Sequence, residues 1–338
     1  MVYNKIRNSI AIALISTGAL YFMACGLGNN VAREGKLHIP TNAQFEQIID
    51  SIQPLLKDTE SFRKYAQGKD LAKRFYSGRY SIKKGMSNKE IVQMIQEGKQ
   101  DEIAIRIGNY ASIIELAGKL GNILEADSAQ ILEAIVQADF TKEVDTAKKL
   151  YFFLPNTYNF HWNTSGKLFV EKMYKEYQKF WTTERLALAR AANMSPLEVT
   201  TLASIVQLES AKADEQARVA ALYLNRLKIG MKLDADPTIV FIKKMQQGFT
   251  QKVSRVYYKD LAIVSPYNTY TNKGLPPGPI CMPNPSAIDA VLKPEKHDYI
   301  YFVADTARPG YHLFAKTLKE QEINAAAYRA WADKNNVK

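Results

Sequence analysis

Apolar positions recur at helical spacing most clearly between Ser195 and Gly230, where two helices can be read end to end. Ser195 can cap the first, Pro196 suits its first position and Glu198 falls three residues after the cap, which is the pattern of a capping box. Leu202, Ile205, Val206 and Glu209 follow at i, i+3, i+4 and i+7, so one stripe carries three apolar side chains and a carboxylate. The second helix is expected to start at an Asp214 cap, to turn Val219, Leu222, Tyr223 and Arg226 inward, and to stop at Gly230. The pattern predicts a helical hairpin with one acid on its buried side.

Upstream, Lys36 to Pro40 and Gly78 to Ile82 read as strands, and Asn42 to Tyr65 reads as a helix. Ser87 with Glu90 makes a second capping box before Ile91, Met94 and Ile95, a strand is expected from Glu102 to Ile107, and helices near Ser112 to Leu120 and Ser128 to Ala138. Leu154 to Phe160 is turn-rich, and a helix from about Lys167 to Trp181 leads to the hairpin. Beyond it, Tyr299 to Ala304 reads as a buried strand with His312 to Phe314 as its partner. Runs of strand and helix in this mixture predict an α+β protein.

The acid on the stripe admits two readings. A carboxyl group among apolar neighbours resists ionising, so its pKa can climb from about 4.3 to about 6 or more and leave it able to donate a proton near neutral pH. Alternatively, Glu209 sits at the stripe's edge as the partner of Arg218 or Arg226 in a structural ion pair.

Charge and composition narrow the setting. Between Arg7 and Arg33 the chain has no charged residue, and Ser9 to Leu27 is almost wholly apolar, long enough as a helix to cross a hydrocarbon layer of roughly 30 Å. Lys5 and Arg7 precede it, which leaves the short N-terminus in the cytoplasm and sends the rest outside. A retained anchor is preferred to the competing cleaved signal peptide, whose Phe22-Met23-Ala24-Cys25 hints at a lipid on Cys25, because Phe22 and Met23 are poor fits before such a cysteine. The remaining cysteine, Cys281, has no mate in the exported part, and four scattered histidines make no metal cluster, so neither a disulfide nor a metal or other cofactor is expected. A net charge of +11 over 338 residues implies an anionic partner: lipid headgroups or an acidic wall polymer rather than nucleic acid, for which no binding motif is present.

The loops after the hairpin carry candidate binding groups. Leu233 to Thr238 precedes a basic, insertion-like stretch from Lys243 to Lys259, and then come Ser265-Pro266-Tyr267-Asn268-Thr269-Tyr270 and the Pro- and Gly-rich Gly274 to Ile280. Tyrosine faces stack on sugar rings while Asn and Thr bond to hydroxyl and N-acetyl groups, so Tyr267, Asn268, Thr269 and Tyr270 are candidates to line a groove. Turn-forming residues packed on themselves are the alternative. His312 alone is more often a packed or hydrogen-bonded residue than a catalyst.

LASIVQLES, ALYLNRLKIGMKLDADPT, SPYNTYTNKGLPPGPI, YIYFVAD and HLFAKT, in that order, resemble the YceG-like family of membrane-anchored endolytic peptidoglycan transglycosylases. The similarity continues upstream through FLPNTYNF and GRYSIKKGMSNKEIV. The resemblance implies a cytoplasmic N-terminus (1–7), a transmembrane helix (8–27), a membrane-proximal segment (28–75), a LysM-like subdomain (76–145) and an α+β catalytic domain built on the hairpin (146–338), outside a bacterial inner membrane. The strand, helix and returning strand of the fourth region are LysM-like in size and order; a spacer is the other reading. The family's essential glutamate falls on Glu209, while its first acidic position is Gln207 here, leaving Glu209 the motif's one carboxylate. Asn225 and Asp236 would orient the groove walls, although Asp236 could equally cap a turn. Thr306 to Tyr311 replaces a shorter glycine-rich turn, so no role is carried over to His312. The implied reaction cuts nascent strands between N-acetylmuramic acid and N-acetylglucosamine to leave 1,6-anhydro ends, without cofactor, beside the wall synthases. A non-catalytic wall-binding scaffold that recruits those synthases is the rival reading.

Overall fold

The structure, a computed structural model, describes residues 28–141, 145–249, 252–253 and 255–335. The expected membrane helix at 8–27 and Cys25 lie outside the described residues, and among these no helix is long and apolar enough to cross a membrane. The architecture is α+β: helices dominate, and the strands pair into two-stranded sheets. The described residues form two compact units, the first falling within 1–105, 123–126 and 158–164, the second within 106–122, 127–157 and 165–338.

In the first unit, β1 (Gly35–Ile39) pairs antiparallel with β2 (Gly78–Ile82), Leu37 opposite Tyr80. Both strands alternate, and their inward residues meet Ile48, Ile49, Ile52, Phe62, Ile91 and Ile95 in one core. The single helix expected over Asn42 to Tyr65 is two, α1 (Phe45–Ile52) and α2 (Thr59–Gly68), separated by a 3₁₀ turn at Gln53–Leu55. Pro54 explains the break, since it offers no N–H to the helix ladder, and Asp58 then caps α2. α3 (Asn88–Gln96) opens with the expected box, Ser87 accepting from Glu90 N while Glu90 accepts from Ser87 N. The strand β3 (Glu102–Ile107) does not return to β2. It pairs with β4 (Asn156–His161), so the strand–helix–strand expected from 78 to 107 is not closed on itself. β4 lies where turns were expected; Tyr158 and Phe160 are buried and Thr157 and Asn159 exposed, an alternation that Pro155 and two asparagines obscure in sequence.

The second unit holds the hairpin. α4 (Ile113–Gly121) packs on α5 (Ser128–Gln137), which packs on α6 (Gly166–Phe180); Gly166 is needed there, because a Cβ would stand 2.8 Å from the Gln130 carbonyl oxygen. A short α7 (Thr183–Ala191) precedes α8 (Pro196–Glu209) and α9 (Ala213–Lys228), followed by α10 (Asp236–Gln247), α11 (Pro285–Leu292), the hairpin β5 (Tyr301–Ala304) and β6 (His312–Ala315), and α12 (Leu318–Lys334). α8 is more deeply placed than its stripe suggests: every residue from Val199 to Val206 is buried, because α9, α10 and α11 all pack on it. Its polar members are satisfied locally, Thr200 and Thr201 donating to the carbonyls of Pro196 and Leu197. Ser204 donates to Thr201 O and accepts the Ile280 N–H at 3.0 Å, which ties the Pro/Gly-rich segment to the helix.

In α9 the stripe Val219, Leu222, Tyr223 and Arg226 is buried as expected, and Gly230 ends the helix at φ +67°. Asp214 is not its cap. The helix begins at Ala213 after Lys212, which puts Asp214 inside the first turn, where it accepts from the Tyr311 hydroxyl. The strand expected over Tyr299 to Ala304 forms only at Tyr301–Ala304 and is half-buried, since two strands packed with α12 cannot enclose both faces.

Candidate active site

Glu209 is the last residue of α8, and the side chain is half-buried. Its Oε1 accepts the Tyr223 hydroxyl at 2.8 Å, a bond across the hairpin from one inward stripe to the other. A buried tyrosine needs a partner for its hydroxyl, and the carboxyl is that partner. Burial pushes the Glu209 pKa from its ordinary 4.5 to about 7; the Tyr223 bond pulls it down, the negative charge of Asp236 raises it, and Arg226 lowers it least.

The ion-pair alternative is settled by the arginines' other partners. Arg218 grips Glu295 through Nε and Nη2 at 3.0–3.1 Å. Arg226 Nε donates to Ile300 O at 2.7 Å and Nη1 to Leu233 O at 2.6 Å, so its charge braces two loop carbonyls. Its guanidinium also lies over Tyr223 and Phe302, 5.9 and 6.0 Å from the ring centroids. Glu209 is thereby left with a phenol rather than a cation.

Asp236 is close enough for its charge to act on Glu209, and stands exposed in the first turn of α10. Its Oδ1 accepts the Tyr270 hydroxyl at 2.7 Å. Tyr270 is half-buried, and its pKa rises through burial, then through that bond and the charges of Asp236 and Glu209. Glu209, Tyr223, Asp236 and Tyr270 thus form one electrostatic cluster drawn from α8, α9, α10 and the turn at 265–270. A proton held on Glu209 can be passed outward to a basic oxygen.

The other groove candidates are placed differently. Tyr267 is buried against Phe241, ring centroids 4.9 Å apart, and burial pushes its phenol up to about 12. Asn268 is fully buried: its amide donates to Leu261 O and Ile263 O, and its Oδ1 accepts from Tyr270 N. Thr269 is buried too, its hydroxyl accepting the Ala235 N–H and bonding to Thr238. These three brace the turn from within, and Tyr270 is the member of the group that reaches the acid's surroundings. Asn225 donates to His297 O and Tyr299 O, clamping the approach to β5. Gln207 accepts the Asn284 N–H at the start of α11, so the position without a carboxylate serves packing.

Sequence reasoning missed the Tyr223–Glu209 bond, although a tyrosine on a buried stripe is a signal that some acceptor faces it. It missed as well that buried Glu215 accepts from Ser210, directly after Glu209, and from His312. A cavity of about 440 Å³ lined by Gln130, Glu133, Phe140, Lys167 and Glu171 shares no residue with the cluster. Among the described residues no three His, Cys, Asp or Glu side chains converge as metal ligands would.

A helical hairpin that ends in one poised acid, in an α+β unit, defines the class of site; comparison with known proteins supplies the family. Residues 37–327 match the YceG-like family, and the chain belongs to it. It is 28% identical over 320 residues to the endolytic murein transglycosylase of Bacillus subtilis (strain 168), covering 88% of this chain and 85% of that protein. It is 26% identical over 325 residues to the endolytic murein transglycosylase of Streptococcus pneumoniae serotype 2, covering 86% of this chain but 57% of that longer protein. The crystal structure of a yceG-like protein from Listeria monocytogenes matches 86% of this chain and 98% of its own, with a TM-score of 0.57 and 25% identity.

Proposed function

We propose that this protein is an endolytic murein transglycosylase that cleaves the β-1,4 bond between N-acetylmuramic acid and N-acetylglucosamine in nascent peptidoglycan, with Glu209 as its catalytic acid and base. The observation that carries the reading is the state of Glu209, whose pKa near 7 leaves much of it protonated at neutral pH. Relatives named for this activity and membership of the family support it.

Glu209 gives its proton to the bridging oxygen, the bond from that oxygen to the muramyl C1 breaks, and positive charge develops at C1. The carboxylate so formed takes the proton of the same sugar's 6-hydroxyl, whose oxygen bonds to C1. Glu209 is restored, no water is consumed and a 1,6-anhydro end remains. Two-carboxylate glycosidases use their second acid to supply a nucleophile or activate water; here the attacking group is already tethered to the reacting carbon. The nearby negative charge of Asp236 favours both the protonated start and the cationic centre. Tyr270, held by Asp236, offers an aromatic face beside the acid.

In this reading the apolar segment 8–27 anchors the protein in the inner membrane, and the remainder lies outside the cytoplasm next to newly made strands and their synthases. The test is direct: uncrosslinked glycan incubated with the protein yields anhydro-ended fragments, and Glu209→Gln lowers their rate at least about 100-fold, the scale of a lost general acid, with its circular dichroism unchanged. Equal rates from both proteins would remove Glu209 from the mechanism.

A further inference from the structure

We propose that His312, oriented by the buried carboxylate of Glu215, is a second substrate-facing group that accepts a hydrogen bond from a hydroxyl or acetamido N–H of the glycan. The proposal rests on the glycan reading for its ligand and on separate geometry for its residue.

Glu215, in the first turn of α9, is 3% exposed and accepts three donors. Its Oε1 takes the backbone N–H of His312 at 2.8 Å; its Oε2 takes the Ser210 hydroxyl at 2.9 Å and His312 Nδ1 at 2.8 Å. A carboxylate only accepts, so the hydrogen of that last bond sits on Nδ1. In the neutral ring Nε2 then presents a lone pair. Nε2 has no partner among the described residues and is not sealed in, the side chain keeping 15% of its exposure. A ring needed for packing alone would not require a buried acid to fix its tautomer.

Two connections place this ring on the acid's side of the hairpin. Ser210, which bonds to Glu215, directly follows Glu209. Phe302 packs edge-on against His312 at 5.0 Å and against Tyr223 at 6.1 Å, and Tyr223 is the residue whose hydroxyl holds Glu209. His312 and the Glu209–Tyr223 pair therefore flank one aromatic ring. A saccharide with its scissile bond at Glu209 can direct a donor of a neighbouring sugar to Nε2.

The acid's bonding makes Glu215→Gln unusually informative. The His312 backbone N–H can only donate, so the glutamine oxygen must stay at Oε1 and its amide nitrogen must take the place of Oε2. That nitrogen donates to Nδ1, which obliges the imidazole hydrogen to move to Nε2. The variant keeps the ring and its packing but presents a donor where the wild type presents an acceptor. His312→Phe keeps the volume beside Phe302 and removes the acceptor.

In the test, the full chain in detergent is labelled with ¹⁵N in its four histidines, in a Glu209→Gln background so that glycan binds uncut. The His312 signals are identified by their loss in His312→Phe. The expected results are a wild-type-tautomer Nε2 resonance that shifts on saturation with uncrosslinked glycan, and exchanged Nδ1 and Nε2 characters in Glu215→Gln. In the active background, His312→Phe and Glu215→Gln each raise KM about three- to tenfold, the worth of one hydrogen bond, the loss falling on KM rather than kcat. An Nε2 resonance unmoved by glycan, or a KM unchanged in both variants, overturns the proposal. Persistence of cleavage in Glu209→Gln would instead strike the catalytic reading and leave the His312 resonance to be judged by itself.

Discussion

Glu209 owes its chemistry to neighbours that push in opposite directions, and each push can be removed singly. The catalytic acid is the protonated form, so kcat/KM for glycan cleavage falls as pH rises through about 7. Tyr223→Phe deletes the bond that holds the pKa down and moves this descending limb to higher pH. Asp236→Asn deletes a negative charge that holds it up and moves the limb to lower pH. Limbs that shift together, or in the reverse senses, would contradict the assignment; the measurement is a pair of pH–rate profiles on defined glycan. The same pKa acts on stability. Between 4.5 and about 7 the folded chain keeps a proton that the unfolded chain releases, so folding weakens across that window as pH rises. Glu209→Gln removes this loss, and denaturant titrations at neutral pH should find the variant more stable, by on the order of 1–3 kcal/mol.

Among the elements, the turn at 265–270 takes three of its hydrogen bonds from one buried side chain, Asn268. Asn268 donates twice to backbone carbonyls and accepts once from Tyr270 N. Asn268→Asp can accept but cannot donate, and it buries a carboxylate against two carbonyl oxygens. We expect a loss of about 2–5 kcal/mol in chemical denaturation, the range for a buried polar group left unmatched, together with reduced activity, because Tyr270 loses its seat. An unchanged midpoint would mean that the turn does not depend on this residue. Such braces are hard to read in a sequence. The boxes at Ser87–Glu90 and Ser195–Glu198 were legible because every partner lies within three residues. The stripes that face each other through Glu209 and Tyr223 were legible as stripes. Periodicity does not reveal where a polar group aims, however, so Tyr267, Asn268 and Thr269 looked like groove residues and are turn supports. α10 was hidden for another reason: Pro237 and a lysine-rich run resemble loop chemistry, and its helical state rests on burying Ile239, Phe241 and Ile242 against partners distant in sequence. Pro54 divided a helix whose apolar spacing runs on across the break.

For the molecule as a whole, the family match spans both compact units, and the proposed place of action joins an apolar segment at 8–27 to a basic remainder. If that segment is an anchor, the full chain sediments with membranes in the producing cell while residues 28–338 expressed alone do not, and external protease reaches the full chain in spheroplasts. Recovery of the full chain in the soluble fraction would remove the anchor from the account. The measurement that bears most directly on the central claim is mass spectrometry of fragments released from uncrosslinked glycan by the wild type and by Glu209→Gln. Wild-type fragments one water lighter than hydrolysis products, with none from the variant, are the predicted result; fragments that carry the added water, or equal release by the variant, would contradict a single carboxyl group working with the sugar's own hydroxyl.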